Sequence, residues 1–511
     1  MQSSDTRSPF HMGFKAGVER ALAEIIEVYK ADPIPWVVGY SGGKDSTATL
    51  QLVWMALRRL APDERHKHVY VISTDTMVEN PVVSAWVRRS LACMREAAAQ
   101  QGLKLSSHPL TPKPDNTFWV NLIGRGYPAP RPPGFRWCTD RLKIEPSNRF
   151  IQEVVRDNGE AVVVLGMRRA ESEVRAHVMD RMETKRVRDH LSPNKKLPNA
   201  YVYTPIERWS DEDVWMFLMQ VPNPWNFDNK DLLTMYQGAS SDGECPLVVD
   251  DTTPSCGDSR FGCWVCTLVG EDKSMQAMIR NDAEKEWMLP LLELRNEIES
   301  RNPEGRRNDR HLRDFRRMNG DLTLDIRGEL VHGPYLQHVR EHWLRRLLGV
   351  QQAIRKTGPE AVRDIELITL PELHEIRRLW VNEKHEFEDN LPAIYEEIIG
   401  QPFPGERLSP DLPFGPEELK ILADVCGNDR IHYELIREYL DICRRHRVSR
   451  RRAGVPAALD RATSRGFYES SEDALQRALR RRDLLEQAEY LITQSSDEDD
   501  LGNFVEQETE G

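Results

Sequence analysis

The chain has 511 residues, 39% apolar and 30% charged, with a net charge of −12. That length allows two to four domains with real cores. It has no apolar run near the ~20 residues that span a bilayer and no apolar leader behind Met1, so the expected setting is cytoplasmic, without a membrane partner. Seven acids and no base between Ser495 and Gly511 supply more than half of the net charge. The body is only mildly acidic, so any nucleic-acid surface must be local.

Taken in order, Phe14 to Lys30 has apolar residues at helical spacing (Val18, Ala21, Leu22, Ile25, Ile26). Trp36 to Tyr40 is a short buried strand. Ser41-Gly42-Gly43-Lys44-Asp45-Ser46 then turns the chain into a helix that starts near Asp45 and runs to Leu60. Gly42 and Gly43 permit a turn that other residues resist. Amides at the start of a helix lack internal partners and carry the positive end of the dipole, so a phosphate satisfies both. Ser41 and Ser46 add hydroxyl donors and Lys44 a charge. The stretch is not a Walker A loop. That loop has four residues between its first Gly and the Gly-Lys pair, followed by Ser or Thr. Here three residues separate Gly39 and Gly43, and Asp45 follows Lys44.

His68 to Thr74 is a second buried strand, leading through Asp75 to a helix starting near Pro81. Leu103 to Leu110 and Ala161 to Gly166 read as further strands. Strands alternating with helices predict an α/β fold, a parallel sheet covered on both faces. Ligands of such sheets bind beyond the carboxyl ends of the strands. The glycine loop, Asp75 and Arg168-Arg169 all fall there. Thr111 to Thr139 is a long proline-rich loop, a feature that is usually functional or disordered. Its Phe118, Trp119, Tyr127, Phe135 and Trp137 lie among bases, which suits a nucleic-acid strand or packing over the sheet edge. Ser210 or Asp211 caps a following helix. The expected domains are 1–225, a cysteine-rich segment 226–285, a helical region 286–493 and an acidic disordered tail 494–511. Six arginines in Arg306 to Arg317 and six in Arg444 to Arg452 suit DNA phosphates, a partner, or solvated helix faces.

Eight cysteines in a reducing setting point to metal or redox chemistry rather than disulfides. Cys256, Cys263 and Cys266 have six and two residues between them. Three readings stand: an iron–sulfur cluster, a zinc site lacking its second close pair, and a redox pair or unligated thiols. The fourth ligand would come from Cys138 first, Cys245 second. Cys93 fits a helical core pattern, and Cys426 and Cys443 have no partner motif.

The loop resembles the SGGxDS loop of the PP-loop ATP pyrophosphatase superfamily. With Arg136-Trp137-Cys138-Thr139-Asp140-Arg141, Gly166-Met167-Arg168-Arg169 and the run Gly243 to Thr267, the chain resembles that superfamily's phosphoadenosine-phosphosulfate-reductase-like branch over about residues 14 to 280. Within the branch it is similar to the DndC family of DNA phosphorothioation sulfurtransferases. The resemblance implies cleavage of ATP between its α and β phosphates with Mg2+, to activate a DNA backbone oxygen for replacement by sulfur. It also implies a 4Fe-4S cluster on Cys138, Cys256, Cys263 and Cys266. The implied partners are DNA, a cysteine desulfurase and companion Dnd proteins (DndB, DndD, DndE). The catalytic groups would be Lys44, Asp45 and Arg168. Ser41, Gly42, Gly43, Lys44, Asp45, Ser46 and Asp75 would hold nucleotide and metal, and Cys245 would be a candidate persulfide carrier. Two alternatives remain. One is a sulfonucleotide reductase, disfavoured by the lack of a Cys-Cys pair and of a C-terminal Glu-Cys-Gly. The other is a non-catalytic DNA- or partner-binding subunit, disfavoured by the intact loop.

Overall fold

The computed structural model describes residues 8–131, 135–239, 262–302, 304–405, 415–427, 429–446 and 454–505. Cys245, Cys256 and Arg447 to Arg452 lie outside them.

Helix α1 (Phe14–Lys30) precedes β1 (Trp36–Gly39), α2 (Lys44–Arg59), β2 (Val69–Thr74), α3 (Pro81–Gln100) and β3 (Leu105–Leu110). Then come α4 (Glu145–Asn158), β4 (Ala161–Val164), α5 (Glu173–Glu183), β5 (Ser192–Pro193) and β6 (Ala200–Tyr203). The six strands form one sheet in the order β3-β2-β1-β4-β6-β5. All neighbours are parallel except the short β5, which is antiparallel to β6. The α/β expectation is met. Successive strand residues point to opposite faces, and the core follows this period. Trp36 and Val38 of β1 join Leu50, Val53 and Trp54 of α2 on one face. Val37 joins Val163, Ile151 and Val154 on the other. β1 is therefore buried on both sides, as a central parallel strand must be.

Helices α6 (Asp211–Gln220), α7 (Asn229–Gly238), α8 (Lys273–Asn281) and α9 (Leu289–Glu299) follow. Next are α10 (Gln337–Thr357), α11 (Leu370–Arg378), α12 (Asn390–Ile399), α13 (Pro416–Cys426), α14 (Arg430–His446), α15 (Val455–Gly466) and α16 (Ser471–Val505). The backbone of α16 thus runs on as helix through part of the tail expected to be disordered.

The chain divides into two compact units. The first is Met1–Phe118, Ala129–Glu299 and Val350–Leu367; the second is Trp119–Pro128, Ser300–Gly349 and Ile368–Gly511. The boundaries cut across the sequence-based division, because the long proline-rich loop gives its middle to the second unit. There Trp380 donates its indole N–H to the Ile123 carbonyl at 2.9 Å, and a Cβ on Gly124 would meet Leu379 at 2.8 Å. The second unit is also tied by the buried ion pair of Arg340 with Glu386 and by the buried Arg437 with the half-buried Glu388 at 2.7 Å.

Candidate functional site

The first unit presents its chemistry at the carboxyl ends of β1, β2 and β4. The β1–α2 turn requires Gly42, which has φ +77° and carries its carbonyl against the Trp86 indole N–H at 3.3 Å. Ser46 Oγ donates to the Gly43 carbonyl at 3.0 Å and accepts from the Ser41 amide at 3.2 Å. The Ser41 and Ser46 hydroxyls meet at 3.1 Å. The loop is therefore pre-shaped by its own serines, with the first amides of α2 at its mouth.

Lys44 and Asp45 open α2, and each meets a partner from far along the chain. Arg168, just beyond β4, is only 2% exposed. Its Nε donates to Asp45 Oδ1 at 2.6 Å and its Nη2 to Asp211 Oδ1 at 2.5 Å. A further bond runs from Nη1 to the Trp209 carbonyl at 3.3 Å. The other Asp211 oxygen takes the Lys44 ammonium at 3.0 Å. The close approach of β4 to α2 explains Gly166, where a Cβ would lie 2.7 Å from the Asp45 carbonyl oxygen.

Of the two expected caps, Ser210 caps α6, accepting from the Asp213 amide at 3.1 Å while Asp213 Oδ2 accepts from the Ser210 amide at 2.8 Å. Asp211 is thereby released to the loop. Arg169 does not join Arg168, because it pairs with Asp180 and with Glu183 at 2.7 Å. Asp75 Oδ1 accepts from the Met77 amide at 2.8 Å, and Asn80 caps α3. Phe118, Trp119 and Trp137 are buried, and Phe118 stacks on Trp137 at 5.4 Å. Packing takes these rings, so they are not offered to bases.

Three cysteines, Cys138, Cys263 and Cys266, lie near the segment that follows β2. Gly262 and Trp264 bond to the chain after that strand: Asn80 N donates to the Gly262 carbonyl at 3.3 Å and Trp264 N to the Val78 carbonyl at 3.0 Å. This brings Cys263 to Thr76 Oγ1 at 3.3 Å and to Glu79 Oε1 at 3.9 Å. Lys143 reaches the same Glu79 oxygen at 3.4 Å. Burial, then the Glu79 charge, pushes the Cys263 thiol well above its ordinary value. Burial raises Cys138 too, and the neighbouring Cys266 adds to it. Burial works against the Lys143 ammonium, but the Glu79 carboxylate beside it holds its pKa above the usual lysine value. Cys266 closes a turn on the Cys263 carbonyl at 3.0 Å. Its own carbonyl accepts from the fully buried Arg295 of α9 at 2.9 Å.

Cys138, Cys263 and Cys266 thus share one neighbourhood, while Cys256 lies outside the described residues. An all-thiol donor set beside a lysine and a threonine hydroxyl suits an iron–sulfur cluster better than a hard cation. Among the described residues, no group of three His, Cys, Asp or Glu is arranged around a single metal ion. Cys93 packs against the core, whereas Cys443 is exposed. Of the first arginine stretch, Arg307, Arg310, Arg313 and Arg316 all pair with carboxylates, which leaves little of its charge for a phosphate backbone. No helix among the described residues is long and apolar enough to cross a membrane.

Asp211, Tyr236, Glu79 and Arg295 were not singled out by sequence as parts of this site. Only Asp211 carried a local signal, and it pointed to capping.

A mostly parallel sheet, a serine-braced glycine turn and an Arg–Asp–Lys network at the strand ends make an α/β domain with an anion-shaped loop at the ends of its strands. Residues 35–268 match the family model described as phosphoadenosine phosphosulfate reductase domain, which leaves the helical C-terminal region outside the match. An uncharacterized protein of Methanocaldococcus jannaschii is 29% identical over 206 residues, 40% of this chain. The chain spans 36% of the length of that relative. Among solved structures, Candida glabrata FMN adenylyltransferase in complex with FAD and inorganic pyrophosphate has a TM-score of 0.27 at 14% identity, covering 45% of this chain and 62% of that one. The U34-tRNA thiolase NcsA of Methanococcus maripaludis with its 4Fe-4S cluster also has a TM-score of 0.27, at 11% identity, covering 43% and 71%.

Proposed function

We propose that this chain is a DNA phosphorothioation sulfurtransferase of the DndC type. The observation that carries the reading is the sharing of one sheet edge by two chemistries. The phosphate-shaped loop follows β1, and the segment that touches Cys263 follows its neighbour β2. Activation and sulfur delivery need such adjacency, because an adenylylated oxygen must be replaced before water reaches it.

In this reading a DNA phosphate oxygen attacks the α-phosphorus of ATP, and pyrophosphate leaves into the loop. Lys44, Ser41, Ser46 and the first amides of α2 hold its charge. Asp45, which Arg168 holds, would help hold magnesium. The outer sulfur of a Cys245 persulfide then attacks the DNA phosphorus, and AMP leaves with the oxygen. A second thiol attacks the Cys245 sulfur, so that the S–S bond breaks and the phosphorothioate is released. A disulfide remains for an external dithiol to reduce. Cys138, Cys263 and Cys266, with Cys256, would hold a 4Fe-4S cluster, which supplies sulfur-binding or electron-transfer chemistry when bound. Cys245 is the candidate persulfide carrier, loaded by a cysteine desulfurase. DndB, DndD and DndE are the proposed companions.

The test is mass spectrometry of DNA from cells expressing the chain with those companions. Phosphorothioate dinucleotides are expected, and they should vanish with Lys44→Ala or Cys138→Ser. Undiminished linkages in both variants would remove the case. A sulfonucleotide reductase is the second reading, favoured by the family model that residues 35–268 match. It predicts no such linkages and sulfite release from an adenylylated sulfate.

A further inference from the structure

Two side chains from outside the glycine loop occupy the groups a phosphate would use. The Tyr236 hydroxyl of α7 accepts from the Lys44 amide at 3.4 Å. Its ring lies 5.6 Å from the Lys44 ammonium. Asp211 takes that ammonium at 3.0 Å. A leading helix amide and the ammonium beside it are the donors that dipole and charge make most attractive to an anion.

Neither residue is needed there by its own helix. α6 is capped by Ser210 and Asp213 without Asp211. The Tyr236 ring is already set edge-on against Trp215, with centroids 5.2 Å apart. The two Asp211 oxygens also divide their work. Oδ1 accepts from Arg168 at 2.5 Å and Oδ2 holds Lys44. Lys44 is on a flexible stem and can swing away while Asp211 stays anchored on Arg168.

We infer that Asp211 and Tyr236 are positioning residues that stand in for phosphate oxygens in the nucleotide-free loop. The carboxylate supplies the charge and the hydroxyl supplies the acceptor. Incoming phosphate displaces both, so the loop keeps one shape with and without ligand. This competition weakens binding of both nucleotide and pyrophosphate, and it speeds release of pyrophosphate after cleavage. The inference rests on the loop being the nucleotide site.

The experiment is calorimetric titration of the full chain with magnesium pyrophosphate and, separately, magnesium ATP. Wild type is compared with Asp211→Asn and Tyr236→Phe. Asparagine keeps an acceptor for Arg168, and phenylalanine keeps the ring against Trp215. Each variant is expected to bind pyrophosphate roughly twofold to fivefold more tightly, the range of a partly exposed polar contact. Unchanged affinity in either variant overturns the inference for that residue. Weaker affinity also overturns it, by marking the residue as a direct contributor to the ligand. If wild type and both variants bind neither ligand, the nucleotide reading itself falls. Thermal unfolding of each variant checks that the fold is kept, and the two variants test the idea through different helices.

Discussion

Replacing Gly42 by alanine should damage the loop for two separable reasons. The residue sits at φ +77°, where an alanine costs about 1–2 kcal/mol. Its Cβ would lie 2.5 Å from Val87 Cγ2 and 3.3 Å from Trp86 Cδ1. Overpacking of this kind costs about 1–3 kcal/mol, and Val87 is half-buried, so it can turn aside and the lower end applies. Together the change should cost roughly 2–3 kcal/mol. For a unit of this size that lowers the thermal midpoint by about 2 °C per kcal/mol, or about 4–6 °C. Differential scanning calorimetry measures it. Gly42→Ala should also weaken pyrophosphate binding, since the amides move with the turn. Combined with Val87→Ala, and compared with Val87→Ala alone, the alanine should recover only the steric half. An unchanged midpoint in Gly42→Ala would refute the need for a left-handed turn. Full recovery in the double variant would refute the backbone half.

Three other outcomes follow from the first unit. Arg295→Met strands the Cys266, Val269 and Gly270 carbonyls that the guanidinium now serves; at about 1–3 kcal/mol for a stranded buried group, several kcal/mol should be lost. Hydrogen exchange across 266–270 should quicken, and exchange at the wild-type rate would count against the assignment. His68 and His108 each bond Ser106 Oγ at 2.7 Å, and burial lowers both pKa values. Below about pH 6.5 the unfolded chain gains protons that the folded one refuses, so stability falls with pH. A His68→Gln, His108→Gln variant should show a shallower fall of melting temperature between pH 7 and 5; an unaltered slope would refute this. In iron-free protein at pH 8, iodoacetamide should label exposed Cys443 first and Cys263 last among the six described cysteines, because burial and Glu79 keep that thiol protonated. Mass spectrometry gives the order, and early labelling of Cys263 would contradict it.

Much of the site's frame was written in short stretches. The strand–glycine–helix turn, the parallel sheet and the strand-end positions of Asp75 and Arg168 all follow from periodicity and turn chemistry. Those act over a few residues and are visible wherever the chain is read. The grouping of Cys263 with Cys266 came from their two-residue spacing and that of Cys138 with them from its loop at the ligand-binding side of the sheet, and the resemblance implied the same set.

Side-chain partnership was beyond that reach. Tyr236 and Lys44 are 192 residues apart, and Thr76 and Cys263 are 187 apart. Nothing local distinguishes a tyrosine that meets a helix amide from one that fills a core. Ser210 and Asp211 are both good caps, and only the presence of Arg168 and Lys44 across the fold decided which one caps. Aromatics beside bases suit either stacking on nucleotides or packing, and burial chose packing for Phe118, Trp119 and Trp137. The sequence by itself determined the sheet, the turn and the residue types at its mouth, because backbone preferences are local. Which carboxylate faces which cation was decided only by the tertiary structure, because charges pair with what chain closure brings near them.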